Sequence, residues 1–412
     1  MRVHLIGASC AASVLGFFLV SRSAIGGPFS PRSKSLLNGS ILALVLAAVL
    51  VAGVLPRTVS GGTLFVTNYG TGTIGEYTTS GATVNASLVS GIGGPGGIAV
   101  SGSNLFVVSS PPNVFGATIG EYTNSGATVN ASLLSLGEAD GIAVSGSNLF
   151  VVNLTANTIG EYTTSGATVN ASLVSGLNEP NGIAVSGSDL FVTNFQTNTI
   201  GEYTTSGATV NASLVSGLHG PEGIVVSGSD LFVTNYQTNK IGEYTTSGAT
   251  VNASLVSGLD FPAGIAVSGS NLFVANHEGG SIGEYTTSGA TVNPSLITGL
   301  SKAAGLAVVP EPGDANGDGR VDFADLLILA QNYGKTSGQT FLTGDFNNDG
   351  GVGFDDLLIL AQHYGQAAAA TTVPEPSLIG TLLIMPPLLR RRRERFRPHA
   401  IRGSDAPRGA AW

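Results

Sequence analysis

Between Gly61 and Val309 the chain states nearly the same sentence six times, and that repetition constrains its fold more than any other feature. The phrase LFV recurs at Leu64, Leu105, Leu149, Leu190, Leu231 and Leu272, spaced by 41 residues with a single 44. IGEY recurs at Ile74, Ile119, Ile159, Ile200, Ile241 and Ile282. GIAV or a variant follows at Ile98, Ile142, Ile183, Ile224 and Ile265, and the series ends on Gly305-Leu306-Ala307-Val308. A unit this short cannot bury its own hydrophobic face, so the copies must stack and share a core.

Each copy divides into four short strand signals. GIAV is a wholly apolar run, which predicts an innermost strand buried on both faces. Ser-Gly-Ser followed by Asn or Asp turns the chain into LFVTN, and a variable loop leads on to TIGEY. The turn Thr-Thr-Ser-Gly then opens ATVNASLV, where Val84, Ala86 and Leu88 alternate with Thr83, Asn85 and Ser87 as in a half-buried outer strand. A period near 40 with four strands per unit is the mark of a β-propeller. The units resemble NHL and YVTN-type propeller repeats, whose consensus also runs G-I-A-V, a turn, then L-[FY]-V. The series opens on a second strand and closes on an innermost one. Six blades follow if Leu306–Val308 pairs with Leu64–Thr67, which also removes the exposed sheet edge. A seven-bladed ring and an open right-handed β-solenoid are the competing arrangements.

The copies differ mainly in two loops, the one before GIAV and the one between LFV and IGEY. In a propeller both emerge on the same face, so the variable positions should converge there. They place Tyr69, Phe115, Glu179, Phe195, Glu222, Tyr236, Asp260 and His277 on a candidate binding face, and loops on a rigid scaffold are where binding usually sits. Drift after recent duplication would produce the same variation without any function. No catalytic constellation is evident. His219 and His277, with Glu222 and Glu278, are the only His-based grouping the repeats offer, and a solvated role is expected for them and for the repeated Glu of IGEY. Some NHL-like propellers are lyases or lactonases, streptogramin lyase among them. They use polar groups around the channel, which apolar GIAV strands are not expected to supply.

From Gly313 to Gly365 two loops share one signature. The first is Asp314-x-Asn316-x-Asp318-Gly319-Arg320-x-Asp322-x-x-Asp325, followed by LLILAQNYG. The second is Asp345-x-Asn347-x-Asp349-Gly350-Gly351-x-Gly353-x-x-Asp356, followed by LLILAQHYG. Oxygen ligands at loop positions 1, 3, 5, 9 and 12, with the carbonyl of position 7, suit Ca²⁺, a hard cation that takes six to eight oxygens. Arg320 and Gly351 supply that carbonyl. Gly353 offers no side chain at position 9, so the second site should be weaker. Loop plus single helix, duplicated, resembles the dockerin type I module, which implies a calcium cofactor and a cohesin partner. The recognition positions hold Phe323-Ala324 and Phe354-Asp355 where hydroxyls are typical, so a cellulosome-type cohesin is not the expected partner.

Both termini read as targeting segments. Arg32 and Lys34 precede the apolar run Ile41–Leu55, as in an export signal. The chain ends with Val373-Pro374-Glu375-Pro376, the apolar stretch Ser377–Leu389 and an arginine cluster from Arg390, an order that resembles the PEP-CTERM sorting signal. That resemblance implies processing by an exosortase and transient membrane anchoring through the tail. The reading divides the chain into an export segment (1–56), a propeller (57–309), a linker (310–312), a calcium module (313–366) and a sorting tail (367–412).

The lone Cys10 rules out an intrachain disulfide. Residues 57–309 carry 14 acidic and 3 basic side chains, which argues against nucleic acid as a partner. Together these features predict a non-enzymatic, exported surface or matrix protein with an unidentified protein or polysaccharide ligand. A secreted propeller enzyme, or a dockerin-borne component of carbohydrate degradation, is the alternative.

Overall fold

The computed structural model describes residues 62–111, 116–316, 320–337, 339, 341–347 and 350–365. The export and tail segments, together with Phe115, Asp318 and Asp349, lie outside the described residues. Six four-stranded antiparallel sheets run from Thr63 to Val309. Five are built from strands consecutive in sequence. In the sixth, the last strand, Ala303–Val309, pairs with the first, Thr63–Asn68, in the register Leu64↔Val308, Phe65↔Ala307 and Val66↔Leu306. The propeller is six-bladed and closed by strands from its two ends, as the phase of the repeats predicts.

The hairpin turns follow from their residues. Ser101 pairs with Asn104 across Gly102 and Ser103, and Gly102 has φ 55°. Glycine with positive φ at the first central position is the requirement of a type II′ hairpin. After IGEYT, the Gly81 amide donates to the Thr78 carbonyl (2.9 Å) and the Ala82 amide to Thr78 Oγ1 (3.0 Å).

The core lies between blades. Phe65 and Ile74 of the first blade pack with Leu105, Val107 and Tyr122 of the second, and the same set recurs around the ring. Every residue of the LFV strand after its first is buried, because the strand sits between two neighbouring blades. Beside it, Gly75 leaves the space occupied by the Tyr77 ring, since a Cβ there would stand 2.6 Å from the ring edge.

Two strand expectations need correction. The GIAV strand is only partly buried, with Ile98 inside and its neighbours intermediate, because it lines an open channel. The outer strand is exposed on both faces over Thr83–Ser87, and Val84 is 57% exposed. Its pairing jumps from Glu76↔Asn85 to Ile74↔Val89, a bulge in which Asn85 Oδ1 accepts the Ser87 amide at 3.1 Å. The bulge carries the strand away from the core, so only Val89 is buried.

After Val309 the chain forms helices α1 (Phe323–Asn332) and α2 (Phe354–His363). They pack around Val321, Leu326, Leu329, Val352, Leu357 and Leu360. Each loop pairs with the chain that leaves the other helix. The Gly334 amide donates to the Val352 carbonyl (2.8 Å) and the Gly365 amide to the Val321 carbonyl (2.5 Å).

Candidate functional site

The innermost strands approach so closely that each carries a glycine its neighbour requires. A Cβ on Gly97 would fall within 3.0 Å of the Asp140 carbonyl oxygen, and Gly141, Gly182, Gly223, Gly264 and Gly305 meet the next blade in the same way. The series closes on itself, since Gly305 faces the carbonyl of Gly96. The residue before each of these glycines therefore stands on one ring around the channel, in the order Gly96, Asp140, Asn181, Glu222, Ala263 and Ala304. Threonine fixes part of that ring. Thr193 Oγ1 donates to the Glu222 carbonyl (2.7 Å) and Thr234 Oγ1 to that of Ala263 (2.6 Å). Thr67 does the same for Gly96 at 2.7 Å.

All six ring positions line one cavity of about 890 Å³. A second set of equivalent positions, just after the LFV strand, contributes Tyr69, Ser110, Leu154, Tyr236 and His277 to its mouth. The scaffold residues repeat, whereas these two rings vary from blade to blade. The inner ring is lopsided: Asp140, Asn181 and Glu222 form one arc, and Ala263, Ala304 and Gly96 the other.

Electrostatics mark the polar arc. Burial pushes the Asp140 carboxyl up to about 6. Burial, and then the Asp140 charge, push Glu222 up to about 8. Both keep some surface toward the cavity, but protein walls remove much of the water that would stabilise the ionised forms. Gly96 leaves room for Asp140, since a Cβ there would stand 3.0 Å from Asp140 Oδ1. The Tyr236 hydroxyl is pushed up first by burial, then by the charges of Glu222, Glu278 and Asp260.

Of the residues placed on the binding face by sequence, Tyr69, Glu222, Tyr236 and His277 line the cavity. Glu179, Phe195 and Asp260 stand outside its lining, although the Phe195 ring lies beside Gly220 and the Asp260 carboxylate beside Gly279. Asp140 was missed, and so was the polar arc it begins, contrary to the expectation of an apolar channel. His277 does not pair with His219; its Nδ1 lies 3.2 Å from the Ala303 carbonyl and its Nε2 3.9 Å from Glu278 Oε1. The IGEY glutamates are half-buried where Asn supplies a partner, as Asn104 does for Glu121 (2.7 Å) and Asn148 for Glu161 (2.8 Å). Glu284 is buried, and burial raises its pKa.

In the helical module, Asp314, Asp325, Asp345 and Asp356 are all buried, at 2% exposure or less. Asp325 accepts the amides of Asn316 (3.1 Å) and Asp322 (2.8 Å), and Asp356 those of Phe346 (2.7 Å) and Gly353 (2.8 Å). Asp322 caps α1 through the Ala324 amide at 2.8 Å. Four buried carboxylates in so small a core are costly unless a cation neutralises them. The donor set is all oxygen, so these residues fit calcium. Asp314, Asn316, Asp322 and Asp325 with the Arg320 carbonyl would hold one ion. Asp345, Asn347 and Asp356 with the Gly351 carbonyl would hold a second.

Comparison with known proteins agrees with both halves. A chain in the crystal structure of a nidogen/laminin complex aligns with TM-score 0.53 and 16% identity, covering 60% of this chain and 98% of that one. At that identity the likeness speaks for the fold alone. A virginiamycin B lyase from Staphylococcus aureus aligns with TM-score 0.44 and 20% identity, covering 61% of this chain and 90% of that one. No curated protein matches. Residues 312–365 match the dockerin type I domain family, which spans both loops and both helices.

Proposed function

We propose that this chain is an exported surface or extracellular-matrix protein that binds its ligand at the propeller's channel mouth. One observation carries the reading: of the positions that vary from blade to blade in a nearly verbatim scaffold, all six of the inner ring and five of the six just after LFV line one cavity. Duplication reproduces structure at no cost in information, so departures gathered at one cavity point to a ligand rather than to packing. The dockerin-like module supports an extracellular setting and a calcium-dependent fold. Its Phe323 and Phe354, exposed at 60% and 44%, present apolar surface where a hydroxyl-reading cohesin is not the natural partner. The NHL-like repeats and the PEP-CTERM-like tail fit the same picture, with an exosortase-type enzyme as processing partner.

A glycan and protein-partner screen with the exported chain tests this. Binding that survives in the parent and disappears in Tyr236→Ala supports the mouth as the site; binding untouched by that change refutes it. A second reading, a propeller lyase or hydrolase, is favoured by the Asp140/Glu222 pair. An acid kept protonated near neutral pH beside a second carboxyl is what acid–base chemistry uses. Turnover of a captured ligand, lost in Glu222→Gln, would select it.

A further inference from the structure

We infer that the channel mouth is a receptor for a linear organic amine, held at its ammonium ends by Asp140 and Glu222 and along its methylene chain by the arc of Ala263, Ala304 and Gly96. This rests on the channel-mouth reading and gives it a ligand class. Neither carboxylate has a hydrogen-bonding or oppositely charged partner among the described residues, and no lysine or arginine lines the cavity. Two ionised, unpartnered carboxylates in a walled cavity are unfavourable, so the free site keeps a proton on Glu222 and a bound cation takes that proton's place. Asn181, between them on the ring, adds an amide oxygen that accepts from the same ammonium groups. The ring's other half is small and apolar, which fits a hydrocarbon chain. At the mouth stand Tyr69 and Tyr236, whose ring faces attract cations. A volume of about 890 Å³ lies in the range of small-molecule sites and far exceeds a bare ion.

Protonation makes the proposal testable. The free site carries Glu222 protonated below about pH 8. An ammonium group binds the ionised carboxylate, so amine binding at pH 7 must release a proton to the buffer. Titration calorimetry of the exported chain, with the calcium loops saturated, would use putrescine and spermidine as probes and 1,4-butanediol as the uncharged isostere. The expected result is saturable binding of the amines and none of the diol, with heats that vary with buffer ionisation enthalpy. Glu222→Gln should weaken binding at least tenfold and abolish the proton release, and Asp140→Asn with Glu222→Gln should remove binding. No saturable amine heat from folded protein, equal binding by the diol, equal binding by the double variant, or full displacement by equimolar Mg²⁺ would each overturn the inference. If the amines fail while a screened glycan binds and is lost in Tyr236→Ala, the channel-mouth reading stands and only this ligand class falls.

Discussion

Replacing Glu222 by Gln should change how the propeller's stability depends on pH, in a direction opposite to that of most carboxylates. Folded, Glu222 holds its proton up to about pH 8, against an ordinary value of 4.5. Between those values the native state binds more protons than the unfolded chain, so stability falls as pH rises. The contribution is fully present below about pH 4.5 and is lost as pH climbs through 8. At about 1.4 kcal/mol per pKa unit the ceiling is roughly 5 kcal/mol. The side chain is only half-buried, so solvent screening reduces the expected effect to about 2 kcal/mol. For a domain of this size that is a Tm lower by about 4–8 °C at pH 8.5 than at pH 5. Gln carries no charge at any pH, so the variant should lose the part of the slope that Glu222 supplies, while Asp140, raised to about 6, still titrates. Calorimetric melts at pH 5, 6.5 and 8.5, with calcium in excess, read this directly. A parent propeller whose Tm does not fall with pH, or a variant with the parent's slope, would refute the claim that the channel disfavours the Glu222 anion.

Calcium should order the helical module, because binding free energy becomes folding free energy in so small a core. Titration should show two events, the stronger lost in Asp314→Ala, with the propeller's melting unchanged; a stronger second loop would contradict the role given to position 9. Deleting 303–309 removes the strand that pairs with Leu64–Val66, and should cause aggregation or a stability loss well above the roughly 1 kcal/mol of an ordinary point change. A monomeric truncation that melts like the parent would argue against closure. Mass spectrometry of the extracellular protein should find a C-terminus near residues 373–377, whereas secreted chain still ending at Trp412 would refute tail processing.

Much of the architecture was legible because repetition supplies an internal alignment. The phase of six copies predicts both the blade count and the strand that closes the ring, and the structure pairs Val66 with Leu306 accordingly. Burial was less legible. GIAV and LFV are equally apolar, yet LFV lies between blades and GIAV faces a channel, a difference set by ring geometry rather than by composition. Alternation in TVNASL predicts a half-buried strand, but the Asn85–Ser87 turn inserts a bulge. Asn folding back on its own backbone is a local competitor to the sheet ladder, and period-two reasoning takes no account of it.

The candidate site shows where a sequence signal existed and was misplaced. The loop before GIAV reads GGPG, GEAD, NEPN, HGPE, DFPA and SKAA, so Asp140 was present in a variable segment without standing out. Treating that segment as loop makes its members interchangeable in position. In the structure the inner strand begins earlier, at Pro95, Ala139, Pro180, Pro221, Pro262 and Ala303. Each residue after these starts occupies one fixed place on the ring, which separates Glu222, aimed into the cavity, from Glu179, which occupies a left-handed loop position at φ 47°. Two glutamates equally prominent in the sequence thus have different chemistry. One is solvated, and the other shares a walled channel with Asp140, where each anion raises the cost of the next. The strand register decides which of the two can hold a cation.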